Sequence, residues 1–325
     1  MQLIRGLQNF PAGDGCVATI GNFDGVHRGH RAIFARLAEV AKTRELPLCA
    51  VTFEPLPNEF FRPESAPARL STLRDKTEAM AECGIDQLLI LRFNHQLASL
   101  QAEEFIDHAL LRTLKVRHLV VGDDFRFGNK RRGDFNMLKA TGEKHGFGVE
   151  SFDTVVTDAM AESGTRISSS AIREALAGNN FTLAARLIGH PYTISGRVIR
   201  GQQLARQLGY ATANVCLKGF KPGVRGVFAV TLGCKEPGSD QTNTYTGVAN
   251  LGERPTVDGK KLLLEVHCFD AEPDLYDHVV KVSFHHFLRG EKKFDGLDEL
   301  KQAIANDAIA AREFFTDNPS LSSRT

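Results

Sequence analysis

A chain of 325 residues is long for one core and ample for two domains of ordinary size. Its 42% hydrophobic and 24% charged residues exclude disorder, and a net charge of +1, from 40 basic against 39 acidic residues, gives no electrostatic reason to expect nucleic acid or an anionic membrane as partner. Six scattered cysteines with no Cys-x-x-Cys pair fit buried thiols in a reducing compartment better than disulfides or zinc.

The opening ten residues lack the apolar stretch a signal peptide needs, and no segment approaches the ~20 apolar residues of a membrane span, so the cytoplasm is the expected location. Beyond them, strand and helix alternate. Short apolar runs at Cys16–Ile20 and at residues 48–53, 87–91, 118–122 and 148–156 read as strands. Between them, three- and four-residue apolar spacing predicts helices near residues 30–41, 73–83, 102–114 and 135–145. This alternation predicts an α/β domain with a Rossmann-like parallel sheet covered on both faces and ligands at the carboxyl ends of its strands.

The pattern changes between residues 181 and 191. Two short helical pieces give way to β-rich runs at 192–200, 226–232, 244–250, 262–269 and 279–287, punctuated by Gly and Pro as in an antiparallel β-barrel. Leu297, Leu300, Ile304, Ala308, Ala311 and Phe315 then mark a closing amphipathic helix. The expected division is 1–183, 184–316 and a disordered polar tail, 317–325. No internal repeat relates the two halves.

The most informative string is Thr19-Ile-Gly-Asn-Phe-Asp-Gly-Val-His-Arg-Gly-His30, running from the first strand into the first helix. Gly21 and Gly25 allow a tight turn, and His27 and His30 stand at a helix start, where free N–H groups and the positive dipole end attract phosphate. Two imidazoles there could neutralise a polyphosphate without a Walker lysine, and Gly128–Gly133 is indeed followed by Asp134 rather than Lys. By itself the string equally describes a surface histidine pair beside a turn. Gly122-Asp-Asp-Phe-Arg-Phe-Gly128 then follows a strand at the ligand edge. Arg166-Ile-Ser-Ser-Ser-Ala-Ile-Arg173 sets hydroxyls and two guanidinium groups at a helix start.

In the second half, Gly201 and its small neighbours leave room for phosphates against the backbone. Thr212 and Asn214 offer neutral oxygens two residues apart, which suit a hard cation such as Mg2+, although a Thr- and Asn-rich barrel turn would look the same. Gly247-Val-Ala-Asn-Leu-Gly-Glu-Arg-Pro-Thr256 leads to Arg254. Glu265 lies within an apolar strand, where an acid is paired, functional or on the solvent face.

Together these strings resemble the bacterial bifunctional riboflavin kinase/FAD synthetase family, in its order and spacing. The adenylyltransferase half is carried by residues 19–30, Thr52-Phe-Glu-Pro55, 121–128 and 166–173, and the kinase half by residues 188–315. The resemblance implies phosphorylation of riboflavin to FMN and adenylylation of FMN to FAD, with ATP as co-substrate and Mg2+ as cofactor. It implies that His27 and His30 bind ATP phosphates, that Gly21, Asn22 and Phe23 line the nucleotide site, that Ser168, Ser169 and Arg173 close over the phosphates, and that Asp124 lies near flavin. In the other half it makes Glu265 the base, Gly201, Thr212 and Asn214 the Mg-ATP site, and Arg254 part of the flavin loop. Ser170 stands where the family usually has Thr, Leu56 where many members have His, and Ala205 and Ala211 replace the usual Gly and Pro. Neither nucleic acid nor membrane is an expected partner, and any self-association is expected to be weak.

Overall fold

The computed structural model describes residues 1–153, 155, 166–200, 209–235, 241–256, 259–271 and 273–321. The chain forms two compact units, Met1–Pro67 with Lys76–Ser169, and Ala68–Asp75 with Ser170–Thr325.

The first unit is a six-stranded parallel sheet: β1 (Gln2–Arg5), β2 (Cys16–Ile20), β3 (Leu48–Glu54), β4 (Gln87–Arg92), β5 (Val116–Gly122) and β6 (Gly148–Phe152), in the order β1-β4-β3-β2-β5-β6. Among the described residues its helices are α1 (Arg28–Arg44), α2 (Pro57–Phe61), α3 (Leu73–Glu82), α4 (His95–Ser99), α5 (Ala102–Phe105) and α6 (Phe135–His145). The expected helix at 102–114 is split, because α5 widens into a π-helical stretch over Ile106–Thr113. Every residue of β2 is buried, as a central parallel strand covered on both faces requires. Cys16, Ala18 and Ile20 join Leu119, Val121 and Leu110 in one core cluster, and α1 lies against β2 and β5 with Phe34, Leu37 and Ala41 buried.

Besides the strip Ala68–Asp75, the second unit holds α7 (Ser169–Ala177) from its second residue onward and α8 (Phe181–Ile188). A closed barrel follows: β7 (Tyr192–Ile199), β8 (Ala213–Cys216), β9 (Gly226–Lys235), β10 (Thr242–Thr256), β11 (Gly259–Cys268) and β12 (Val279–Arg289), in the order β10-β11-β8-β7-β12-β9 with every pairing antiparallel. Phe181 of α8 packs against Phe228 and Phe284, ring centroids 5.5 and 6.5 Å away. Residues 227–232 of β9 are buried without a break. Val227 and Ala229 cluster with Ala311 and Phe315 of α9 (Leu297–Asp317), and the alternate Phe228, Val230 and Leu232 are buried as well. The expected disordered tail from residue 317 does not hold where it is described: Pro319–Leu321 forms a turn of 3-10 helix, and Leu321 packs on that same cluster, while residues 322–325 lie outside the described residues.

One barrel histidine ties stability to pH. His285 Nε2 lies 2.9 Å from Thr231 Oγ1, and burial pushes its pKa down to about 4. Above pH ~6.5 the imidazole is neutral folded or unfolded, so it adds no pH dependence there. Between pH ~6.5 and 4 the unfolded chain takes up a proton that the folded barrel refuses, and stability falls with falling pH by up to about 3 kcal/mol. Urea unfolding at pH 7 and pH 4.5 should therefore show a smaller acid loss in His285→Gln, which keeps a polar contact to Thr231, than in the parent. Equal losses would mean that His285 titrates alike in both states.

Candidate active sites

In the first sheet the chain steps from β2 to β3 and β4 on one side, then returns to place β5 on the other. The crevice at this reversal, outside the carboxyl ends of β2 and β5, is where open α/β sheets bind ligands. Residues 21–27 leave β2 at that point. The turn is tight enough that Gly25 takes φ 82°, and Phe23 and Val26 also adopt left-handed backbone at φ 46° and 38°. Such non-glycine conformations cost about 1–3 kcal/mol each and persist where the surroundings enforce them.

His27 is the N-cap of α1 but makes no side-chain cap, and the first turn carries no acid, so the helix start keeps its positive end for an anion. The rings of His27 and His30 stack with centroids 3.6 Å apart, and Phe23 meets His30 edge-on at 5.2 Å. His30 Nδ1 is buried with no hydrogen-bond partner among the described residues. Burial first, then the charges of His27 and Lys76, hold the His30 pKa well below the usual histidine range. His30 is therefore neutral in the free chain at pH 7, and meets a phosphate first as an N–H donor. Neutralisation by two charged imidazoles, the sequence expectation, requires the ligand's own negative charge.

Ser168 and Ser169 adjoin this loop: Ser169 Oγ donates to the Asp24 carbonyl at 3.1 Å, and a side chain at Gly29 would sit 3.5 Å from the Ile167 carbonyl. Asp124, just past β5, is 82% exposed and faces Arg166 at 3.6 Å. Arg173 falls in the second unit, where its Nε donates to the Ala68 carbonyl at 2.6 Å. Leu56, in place of the usual histidine, is buried at the start of α2.

Two features escaped sequence reasoning. Phe53, Phe60 and Phe93 form an edge-to-face cluster with centroids 5.5–5.8 Å apart, beside the largely exposed Phe61. Lys76 of α3 is only 1% exposed, and its Nζ donates to the Asn22 carbonyl at 2.7 Å. Its spacing from Leu73 and Met80, three and four residues, places it on the apolar stripe of α3, a signal that was available.

In the barrel, β8, β11 and β10 are neighbours, and their register sets Asn214 opposite Glu265 and Glu265 opposite Asn250. The three side chains thus form one row across three strands. Leu264 and Val266, on the alternate face, are fully buried. Glu265 is consequently on the outer face, yet that face is not open solvent. Glu265, Thr212 and Asn250 line a pocket of about 170 Å3, whose far side includes Leu300, Ile304 and Asp307 of α9. Asp307 accepts two hydrogen bonds from Arg289, both 2.7 Å, which clamp α9 to the end of β12. Asn214 is 7% exposed. His267 Nδ1 donates to the Ala211 carbonyl at 2.9 Å, so the residue replacing the usual proline is held through its backbone oxygen. Asn250 was not singled out from sequence, because only pairing across strands brings it to Glu265, whereas His267 shares the side of Glu265 by alternation along β11. Arg254 lies on β10 opposite Lys261, and its side chain lies outside the described residues, as does Gly201.

Comparison with known proteins assigns a family to each half of the chain. Residues 10–171 match the family model described as FAD synthetase, and residues 188–315 the one described as riboflavin kinase. The bifunctional riboflavin kinase/FMN adenylyltransferase of Pseudomonas fluorescens is 51% identical over 314 residues, 96% of this chain and 97% of the relative. The protein of that description from Escherichia coli strain K12 is 48% identical over 318 residues, 97% and 98% of the two chains. A crystal structure described as a macrolide-efflux protein from Streptococcus pneumoniae superposes with a TM-score of 0.79 at 26% identity, covering 95% of this chain and 98% of its own. Among the described residues no helix is long and apolar enough to cross a membrane. With two family models in tandem and full-length relatives near 50% identity, this chain belongs to the bifunctional riboflavin kinase/FMN adenylyltransferase family.

Proposed function

We propose that residues 1–183 adenylylate FMN and residues 184–316 phosphorylate riboflavin, each with ATP. The observation that carries this division is chemical. The first unit offers stacked imidazoles at a helix start, suited to polyphosphate, while the second offers a carboxylate flanked by amides in a pocket, suited to taking a proton from an alcohol.

In adenylyl transfer an oxygen of the FMN phosphate attacks the α-phosphorus of ATP, the bond to the β-phosphate oxygen breaks, and pyrophosphate leaves. No covalent intermediate is needed, so the protein's task is to position and to stabilise charge. His27 and His30 hold the polyphosphate, Gly21, Asn22 and Phe23 bring backbone close to the nucleotide, and Ser168 and Ser169 close over it. Asp124 stands on the flavin side, and the phenylalanine cluster offers an apolar face of the kind a flavin ring stacks on.

In the kinase reaction the ribityl hydroxyl attacks the γ-phosphorus while Glu265 takes its proton, and ADP leaves. Thr212 and Asn214 supply neutral oxygens from one face of adjoining chain, a donor set that fits Mg2+ carried in by ATP. The ion's contribution is neutralisation of phosphate charge. Gly201 leaves room for the phosphates, and Arg254 belongs to the flavin side. Six free cysteines support action in the reducing cytoplasm.

Incubation of the full chain with riboflavin and Mg-ATP, followed by chromatography of the flavins, should show FMN first and FAD after it. FMN alone would remove the adenylyltransferase assignment, and FAD formed only from added FMN would remove the kinase.

A further inference from the structure

Lys76 is a charged side chain deep in the first unit for which the proposed reaction has so far given no use. Its ammonium donates to the Asn22 carbonyl at 2.7 Å and lies 3.4 Å from Thr52 Oγ1, which itself donates to that carbonyl at 3.2 Å. A carbonyl that receives two donors from below is pinned in one orientation. Because the Asn22–Phe23 peptide is planar and trans, pinning its oxygen toward Lys76 turns the Phe23 N–H the opposite way. That N–H has no acceptor among the described residues, and it belongs to the loop that leads directly into His27 and the start of α1. Phe23 itself is held at φ 46°, a backbone conformation that a β-carbon disfavours and that the loop does not adopt without support.

We propose that Lys76 is a positioning residue for adenylyl transfer: through the Asn22 carbonyl it aims the Phe23 N–H as a fixed donor for a nucleotide phosphate. This rests on the adenylyltransferase reading of the first unit. A backbone donor set in advance stabilises charge without reorganising during the reaction, which is the condition under which such donors count most. The ammonium also acts at longer range. Lys76 on α3, with His27 at the start of α1, adds to burial in lowering the pKa of His30. A buried lysine is well suited to this double task, since its three donors satisfy oxygens below the loop while its charge stays out of reach of solvent.

The test uses the full chain and reads both activities. Lys76→Met keeps the length and apolar stem of the side chain but removes its donors and charge. It should lower kcat for FMN adenylylation at least ~10^2-fold, the scale of losing a preorganised donor, with KM for FMN changed less than about threefold. Riboflavin phosphorylation by the same sample should be unchanged. The inflection that His30→Ala abolishes in the pH profile of kcat/KM should move to higher pH, as the loss of a neighbouring cation requires. Adenylylation within about threefold of the parent would overturn the proposal. Should Lys76→Met fold poorly, seen as loss of both activities, Thr52→Val decides: it is nearly isosteric and removes one of the two donors to Asn22. A fall of about five- to tenfold in adenylylation kcat supports the proposal, and an unchanged kcat overturns it. Failure of the parent chain itself to convert FMN to FAD would instead strike the underlying reading.

Discussion

Glu265→Gln should leave a chain that converts added FMN to FAD but makes almost no FMN from riboflavin. Glutamine preserves the shape of the side chain and its place in the row Asn214–Glu265–Asn250, so the barrel register is undisturbed. What it loses is the ability to accept a proton. A primary hydroxyl is a poor nucleophile while it keeps its proton, and a positioned base contributes ~10^2–10^4-fold in such steps. We expect kinase kcat to fall by that range. Because Asn214 and Asn250 still flank the position, KM for riboflavin should change little. Steady-state rates for both reactions, measured on one preparation, separate this outcome from general damage. Unimpaired phosphorylation would return Glu265 to the role of a polar residue on the outer wall of the barrel.

The converse is expected of His30→Ala: adenylylation of FMN should drop at least ~10^2-fold, with riboflavin phosphorylation preserved. The ring of His30 is wedged between His27 and the edge of Phe23, so its removal takes away a donor and also the packing that orients His27. The pH response follows from its suppressed basicity. The free chain holds His30 neutral because of burial and its neighbours His27 and Lys76, and a bound polyphosphate reverses the balance of charge. Nucleotide binding should therefore be accompanied by proton uptake near pH 7, detectable as a buffer-dependent heat in calorimetry and absent from His30→Ala. Equal loss of both activities in this variant would show that the two reactions do not use separate residues.

Much of this architecture was legible in the chain. Alternating apolar runs and helical periodicity exposed the parallel sheet, and Gly- and Pro-punctuated β runs the barrel, since both patterns follow directly from burial. The two strands overlooked were β1 and β8. Each spans four residues, and neither β1 (Gln-Leu-Ile-Arg) nor β8 (Ala-Asn-Val-Cys) forms a continuous apolar run. The histidine pair was visible because its helix start lies within one short string. For Lys76 the spacing on the apolar stripe of α3 hinted at burial, but not at its partner, because only the tertiary fold brings the Asn22 carbonyl to it. Glu265 was undecidable for a different reason. A two-residue period says which residues share a side but not which side is covered. Closure of the barrel put Leu264 inside, and α9 then made the outside a pocket.

The second unit draws on parts of the chain far apart in sequence, and this sets the order of events on the ribosome. Its strip Ala68–Asp75 is synthesised before the first unit is finished, whereas α9, which supplies one wall of the kinase pocket, follows all six barrel strands. At ~5–20 residues per second, α9 emerges on the order of ten seconds after Ser169 completes the first unit. A growing chain thus holds a finished nucleotide-binding fold while its barrel still lacks a cover, with Val227, Ala229 and Phe269 bare until Ala311 and Phe315 arrive. In that interval the half-made enzyme is exposed to aggregation through its kinase end rather than its adenylyltransferase end. The clamp between Arg289 and Asp307 is among the last tertiary bonds that synthesis permits, and the pocket takes shape only as it closes.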